Sequence, residues 1–381
     1  MSEGLSGWQV YKLNDVTELV KETYTPHCDD ELNYIGLEHI EQGSLRLNGI
    51  GKSSDVTSNK FRFKVNDVLF GKLRVYFRKV ICPKFEGICS TDIWVLRAKK
   101  GLDQNFLFYF VANWDFVNLA DGGEGGTRMP RADWNFLKTT QWKIPCLPEQ
   151  KAIANVLSSL DDKIDLLHRQ NKTLESMAET LFRQWFIEEA QEDWEERSLS
   201  AIADFLNGLA CQKYPPQNDT EKLPVLKIRE LSSGITELSD WATSKVKPEY
   251  IVEFGDLIFA WSASLMVKVW DGERCVLNQH LFKVTSADFP KWFYLLWCKH
   301  HLAEFISISS AHATTMGHIK RGDLDAAMVI VPSEPELREM SMIMTPLLEK
   351  QIANAKQIKL LQNLRDELLP KLMSGETRVA L

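Results

Sequence analysis

Five segments of the 381-residue chain hold residue types that do chemistry at suggestive spacings. Gly51-Lys52-Ser53, closing GSLRLNGIGKSS, has the ending of a phosphate-binding loop, in which backbone N–H groups cradle phosphate and a lysine neutralises it. The first glycine of G-x-x-x-x-G-K-S is Arg46 here and no apolar strand runs into the segment, so nucleotide binding is not expected. DGGEGG (121–126) has the Asp-x-Gly-x-Gly spacing of an S-adenosylmethionine loop, yet the apolar residues of NFLFYFVANWDFVNLA before it recur at helical rather than strand spacing. It reads as a turn. Tyr214-Pro215-Pro216 reverses the Asn-Pro-Pro-aromatic order that holds a target base in amino-methyltransferases, and also reads as a turn. Asp161-Asp162-Lys163 could close a nuclease metal motif but is expected on the solvent face of a long helix, away from any second carboxylate. Cys298, His300, His301, His312 and His318 lack the paired spacing of a zinc module, and no metal is expected. None of the five makes a convincing catalytic site, so recognition is the expected role.

The elements that must position such residues come in two copies. Trp8, Leu13 and Val16 recur as Trp194, Leu199 and Ile202, a shift of 186. Asp67-Val68-Leu69-Phe70 answers Asp256-Leu257-Ile258-Phe259, TDIWVL (91–96) answers QHLFKV (279–284), and NFLFYF (105–110) answers KWFYLL (291–296). Pro145, Pro148 and Glu149 meet Pro332, Pro335 and Glu336 at a shift of 187, as Leu174, Leu181 and Phe182 meet Leu361, Leu368 and Leu369. Matches in one order at a nearly constant offset define a repeated unit of about 187 residues.

Each unit begins as a mixed α/β head rich in aromatic and β-branched residues and ends as a long helix. In the first helix Ile153, Leu157, Leu160, Ile164, Leu167, Asn171, Leu174, Ala178, Leu181 and Trp185 follow alternating steps of four and three, a coiled-coil seam. Its one polar member, Asn171, is expected to fix register at some cost in stability. The second helix carries Ile358, Leu361, Leu368 and Leu372, with Arg365 intruding, and a stutter is expected there. An amphipathic helix of this length cannot bury its own stripe, so the two should pack together. The expected fold is α+β: two repeated mixed α/β domains at 1–145 and 194–332, separated by helices at 146–193 and 333–381 that pack as an antiparallel coiled coil.

Charge separates the parts. Net charge is −7, but residues 46–100 carry 13 Lys and Arg against four acids, whereas residues 146–193 carry five against ten. A basic face suited to phosphate is expected in the first head. The seven cysteines are scattered without a C-x-x-C pair, which argues against a disulfide framework. Apolar runs are too short for a membrane span, and the start has neither a basic n-region nor an apolar h-region.

Two heads, each followed by a Pro-x-x-Glu-Gln-type helix start and a long helix, resemble the specificity subunit of type I restriction-modification enzymes over the whole chain. IPCLPEQKAIANVLSSLDDKIDLLHRQNKTLESMAETLFRQWF (144–186) is similar to that family's central conserved region and LLPKLMSGE (368–376) to its C-terminal one. DVLFGKLRVYFRKV (67–80) and the Thr-Thr-Met of ATTMGHI (313–319) resemble target-recognition signatures; Leu337 in VPSEPEL departs by replacing the usual Gln. The resemblance implies a DNA-binding, non-catalytic subunit in the prokaryotic cytoplasm, whose heads each read half of a split target in double-stranded DNA. It also implies two methyltransferase and two restriction-translocation subunits as partners, with S-adenosylmethionine, ATP and magnesium on those and no cofactor in this chain. The competing classes are a stand-alone methyltransferase or nuclease, and a pure coiled-coil scaffold.

Base edges need donors and acceptors on loops or strand ends, with Lys and Arg nearby for phosphate. On that ground Lys72, Arg74, Thr127, Arg128 and Arg131 are the expected DNA contacts of the first head. Ser262, Ser264, Lys268, Thr314, Thr315, Lys320 and Arg321 are those of the second.

Overall fold

A computed structural model describes residues 7–27, 30–122, 131–311 and 317–380. The chain divides into two compact units, residues 1–165 with 359–381, and residues 166–358.

In the first unit a four-stranded antiparallel sheet runs in the order Thr17–Val20, Ile93–Ala98, Val68–Gly71, Val80–Ile81. In the second the order is Asp204–Asn207, Leu281–Thr285, Leu257–Ala260, Met266–Val269. These sheets are covered on both faces, which is why their middle strands are apolar without alternation. Val68 and Phe70 face a core that includes Phe106 and Phe116, while Leu69 faces a second core with Ile35 and Cys89. Leu257 and Phe259 likewise oppose Ile258 and Ala260.

The second core belongs to a further sheet that repeats too. Asn33–Ile35 pairs in parallel with Gly87–Cys89, and Lys222–Leu226 in parallel with Cys275–Leu277. The first unit adds an edge strand, Thr23–Tyr24, making five strands against four. The repeated Asp-x-x-Phe motif has a physical cause. Asp67 accepts from the backbone N–H of Lys64 at 2.8 Å and holds Arg97 with two bonds of 2.8 and 2.7 Å. Asp256 accepts from Glu253 N at 2.8 Å and pairs with Lys283 at 2.7 Å. Each carboxylate thus closes the turn into its strand and ties that strand to its neighbour.

The long helices span Leu147–Arg183 and Glu334–Ser374. Pro148 lies in the first helical turn, where its missing N–H costs nothing. The adjoining Glu149 and Gln150 are buried anchors: Trp8 donates its indole N–H to Glu149 at 3.2 Å, and Gln150 bonds Asp103 N, Gly101 O and Pro145 O. The second copy repeats the first of these, with Trp194 donating to Glu336 at 3.1 Å. Arg378 Nη2 donates to Glu149 Oε2 at 2.9 Å, and Gln191, one repeat earlier, donates to Glu336 Oε1 at 3.0 Å. The tryptophan and glutamate landmarks of the repeat are therefore mutual partners in each unit.

Each helix start and the end of the other helix complete one head core. Ile153 and Leu157 join Leu369 and Leu372 in the first unit; Met344 and Leu348 join Ala178, Phe182 and Phe186 in the second. The pairing is antiparallel within the first unit, where Glu149 meets Arg378 and Asp161 meets Arg365. Of the expected first seam, Ile153, Leu157, Ile164 and Leu167 are buried, and Leu160, Asn171, Leu174 and Leu181 are half-buried. Asn171 donates to Gln351 O at 3.1 Å and accepts from the buried Asn354 at 2.9 Å, a polar lock inside an apolar seam.

The second seam corrects the sequence expectation. Met344, Gln351, Ile358, Arg365 and Leu372 recur every seven residues, with Leu348, Ala355, Gln362 and Leu369 between them, and all are buried or half-buried. No stutter is needed. Ile358 and Leu372 lie on the seam as expected, but Leu361 and Leu368 flank it; Leu369 is the buried leucine. Arg365 does not intrude but occupies a seam position at 1% exposure, donating to Asp161 at 2.8 Å and to Ser44 O at 3.0 Å. Asp161, expected on the solvent face, instead accepts from both Arg365 and the Tyr109 hydroxyl at 2.7 Å. Burial pushes its carboxyl above the ordinary carboxylate range, against the pull of Arg365.

Candidate nucleic-acid interface

Three backbone segments meet at one corner of each head, and the corner is built twice in the same way. In the first unit Lys72 N donates to Asp92 O at 3.0 Å and Ala132 N to Lys72 O at 2.9 Å, while Leu73 bridges Arg131. In the second, Trp261 N donates to His280 O at 3.4 Å and Ile319 N to Trp261 O at 3.1 Å, while Ser262 bridges His318. The next residue is left-handed in both, Arg74 at φ 52° and Ala263 at φ 56°. A non-glycine residue in that region marks a tightly determined turn. The repeat shift links these positions pairwise: 72 with 261, 74 with 263, 92 with 280, 131 with 318.

On this shared frame the side chains differ. In the first unit the Lys72 ammonium lies 4.0 Å and the Arg131 guanidinium 3.5 Å from Asp92 Oδ1. They rim a cleft of about 290 Å³ whose walls include Lys21, Phe61, Trp94 and Trp134. In the second unit Trp261, at the position equivalent to Lys72, stacks on Phe282 at 5.6 Å and donates to Asn207 at 3.2 Å. His280 lies 3.2 Å from the Ser262 hydroxyl and 3.5 Å from the Gln279 amide.

The structure brings together some of the expected contacts and disperses others. Lys72 and Arg131 share the first corner, and Arg74 is exposed at its turn. In the second, Ser264 and Lys320 are exposed, and the exposed Arg321 reaches Phe205 O at 3.5 Å. Ser262 lies inside the corner, its hydroxyl engaged by His280. Lys268 is held away by Asp271 at 2.9 Å and Leu231 O at 3.4 Å. Thr127, Arg128, Thr314 and Thr315 lie outside the described residues. Sequence reading missed Asp92, Trp261 and His280, although applying the repeat shift to Lys72 and to TDIWVL would have found them.

Part of the basic charge of residues 46–100 is taken up within the first unit. Arg46 pairs with Asp165 at 2.8 Å, Lys60 bonds Ser58 O, Lys79 bonds Leu37 O, and Arg97 is taken up by Asp67. Arg78, 3% exposed, donates to Ala112 O at 2.7 Å and pairs with Asp366 at 3.2 Å. Counting charges cannot see that these cations hold the head together.

The segments weighed for catalysis have structural roles. Gly51–Lys52 is a two-residue strand and Ser53 is a buried link to Asp30 O and Leu32 N, which is no phosphate cradle. His301 is held between Met328 O at 2.9 Å and Glu304 at 3.2 Å, beside a fully buried Cys298. Among the described residues no three His, Cys, Asp or Glu gather as a metal set, and no helix is long and apolar enough to cross a membrane. The helices before DGGEGG, Gln104–Ala112 and Trp114–Asp121, have the expected form; Asp103 caps the first by accepting from Asn105 N and Phe106 N. Residues 123–126 of that segment lie outside the described residues.

A twice-built head, each copy followed by a long helix that completes a core, is the architecture of a modular recognition protein. Residues 5–176 and 191–362 each match the family described as type I restriction modification DNA specificity domain, and the chain belongs to that family. It is 28% identical over 306 residues to the type I restriction enzyme MjaIX specificity subunit of Methanocaldococcus jannaschii, covering 74% of this chain and 71% of that protein. With the MjaVIII specificity subunit of the same organism it shares 23% identity over 94% of this chain and 86% of that one. The crystal structure of the type I restriction-modification S subunit from M. genitalium has the same fold, with a TM-score of 0.56 at 16% identity and 98% coverage of both chains.

Proposed function

We propose that this chain is the sequence-reading subunit of a type I restriction-modification complex, in which each head reads one half of a bipartite site in double-stranded DNA. The observation that carries this reading is the repeated corner. One backbone frame presents Lys72, Asp92 and Arg131 in one unit and Trp261, His280 and His318 in the other, which is what two readers of different half-sites require. Lys72, Arg74 and Arg131 are the contacts of the first head, with Thr127 and Arg128 on the adjoining segment. Ser264, Lys320 and Arg321, with Thr314 and Thr315, are those of the second.

The helices set the distance between half-sites and dock two methyltransferase subunits. Exposed Leu166, Met177, Met342, Ile343, Leu360 and Leu364 along them supply apolar surface for that contact. Two restriction-translocation subunits complete the assembly, and S-adenosylmethionine, ATP and magnesium act on the partners. This chain contributes recognition rather than bond-making. A stand-alone methyltransferase or nuclease is the poorer reading, because Gly51, Lys52, Asp161 and His301 are occupied structurally.

The test is a head exchange. Residues 194–332 are replaced by the corresponding head of a relative, the hybrid is expressed with its methyltransferase subunits, and methylated motifs are mapped by long-read sequencing. One half of the motif should change while the other stays. A hybrid that alters both halves together would defeat the modular reading.

A further inference from the structure

The first corner holds two donors and one acceptor, and their spacing matters. Arg97 and Asp67 are joined by two bonds of 2.7 and 2.8 Å and have little left to offer a ligand. Lys72 and Arg131 instead stand 4.0 and 3.5 Å from the same Asp92 oxygen, close enough to be oriented and too far to be saturated. Arg131 is 62% exposed, Asp92 32% and Lys72 25%, so all three groups reach solvent, and Lys72 and Arg131 also line the cleft. Their backbones are tied to one another by the Lys72–Asp92 and Ala132–Lys72 hydrogen bonds and the Leu73–Arg131 bridge. The set is therefore presented by a rigid frame.

A phosphate is an unfavourable partner for this set, because the Asp92 carboxylate would face the phosphate charge. The major-groove edge of a G·C pair is a better one: guanine offers two acceptors, N7 and O6, and cytosine offers the N4 amino donor. Lys or Arg on guanine and Asp on cytosine N4 are the side-chain types that complement that edge. Resting on the DNA-reading function proposed above, we infer that Lys72, Arg131 and Asp92 together read one G·C pair in the half-site of the first head. Arg131 and Lys72 donate to guanine and Asp92 accepts from cytosine. The second head lacks this reader, since Trp261, His280 and His318 supply neither a permanent cation nor a carboxylate at the same three positions.

The experiment expresses the full chain with its methyltransferase subunits in a host free of other DNA methylation. Methylomes are then compared for the wild type, Arg131→Met and Asp92→Asn. The expected result is that one fixed G·C pair in one half-site becomes degenerate in both variants, with discrimination at that pair falling roughly five- to 150-fold, while every other position holds. In a binding assay with the same complexes, duplexes carrying 7-deazaguanine at that pair should bind the wild type more weakly, and the penalty should be smaller for Arg131→Met. An unaltered motif in both variants overturns the inference. So does a uniform loss of methylation at all sites with the motif intact, which is the signature of a phosphate contact, or indifference of the wild type to 7-deazaguanine. Failure of the wild-type complex to methylate any bipartite motif would instead sink the functional reading beneath it.

Discussion

At equivalent places the two units use opposite chemistry, and that contrast yields a stability prediction. The first unit buries Arg365 against Asp161; one repeat away the second places Ala178 and Leu348. Asp161→Leu would leave Arg365 with Ser44 O and Asp366 only, at 3.0 to 3.3 Å, and the buried Tyr109 hydroxyl without its acceptor. Losing a charged hydrogen bond costs about 1.5–3 kcal/mol and orphaning a buried hydroxyl about 1–3, so roughly 3–5 kcal/mol is expected, the range for breaking a buried pair. Arg365→Ala should cost about 2–4 kcal/mol, because Asp161 keeps Tyr109 and some access to water. The double variant copies the second unit and leaves no unpaired charge, so it should cost less than the two singles summed, by about 2 kcal/mol or more. Adding Tyr109→Phe should recover about 1 kcal/mol further by removing the orphaned hydroxyl. Urea unfolding of the full chain, analysed as a double-mutant cycle on the first unit's transition, measures the coupling. Costs that add within about 0.5 kcal/mol would refute the reasoning, since they would mean the pair is solvated rather than mutually dependent.

Other perturbations probe the remaining junctions. Asn171→Leu should destabilise by about 1–3 kcal/mol because the buried Asn354 loses its 2.9 Å partner, whereas Leu at both positions should be neutral or stabilising while loosening helix register; thermal unfolding and crosslinking register read the two effects. Arg378→Ala should cost about 2–4 kcal/mol, since Glu149, 2% exposed, keeps only Trp8, and Trp8→Phe in that background should lower the melting temperature further. Hydrogen bonds from Ser333, and from Trp194 and Gln191, hold the Glu336 carboxyl below its ordinary range. Its contribution is present above the unfolded carboxylate value and lost as pH falls through the lower folded one, so Glu336→Gln should flatten the acid limb of a stability–pH curve. Inserting one heptad after Asn171 and one after Asn354 should lengthen the unread gap in the methylated motif by about three base pairs, from roughly 10 Å of added helix. A plasmid library with randomised gap length measures it, and an unchanged gap in the folded protein would remove the helices as the ruler.

What the sequence disclosed depended on whether a residue's role matched its type. Asn171 was legible as the one polar residue on an apolar seam, and the structure gives it an amide partner, Asn354. Arg365 was not, because a charged residue at a seam position looks like a break in the pattern until its acid is seen across the helix pair. Asp161 was lost for the complementary reason: an Asp beside another Asp and a Lys has the composition of a solvent face. The heptad through Gln351 and Gln362 is obscured in the same way, because Leu361 and Leu368 beside it carry the more conspicuous apolar side chains. Charge counting failed on Arg78 and Arg97, whose partners Asp366 and Asp67 lie 288 and 30 residues away. The fold was legible through its repeat, which tolerates such errors because each landmark is read twice.

The repeat also explains how recognition can vary without disturbing the fold. At the corner the two units share backbone hydrogen bonds while the side chains they present differ. The apolar core behind it is conserved in pattern, with Val68 and Phe70 matched by Leu257 and Phe259. Substitutions at Lys72, Asp92 and Arg131 therefore touch neither the frame nor the core, and surface changes of that kind usually fall within about 0.5 kcal/mol. The half-buried Trp261, which stacks on Phe282 and bonds Asn207, is a different case, because its removal also costs those packing contacts. The residues proposed to read DNA in the first head should thus be exchangeable at little structural cost, whereas replacing Trp261 in the second should disturb the packing around it.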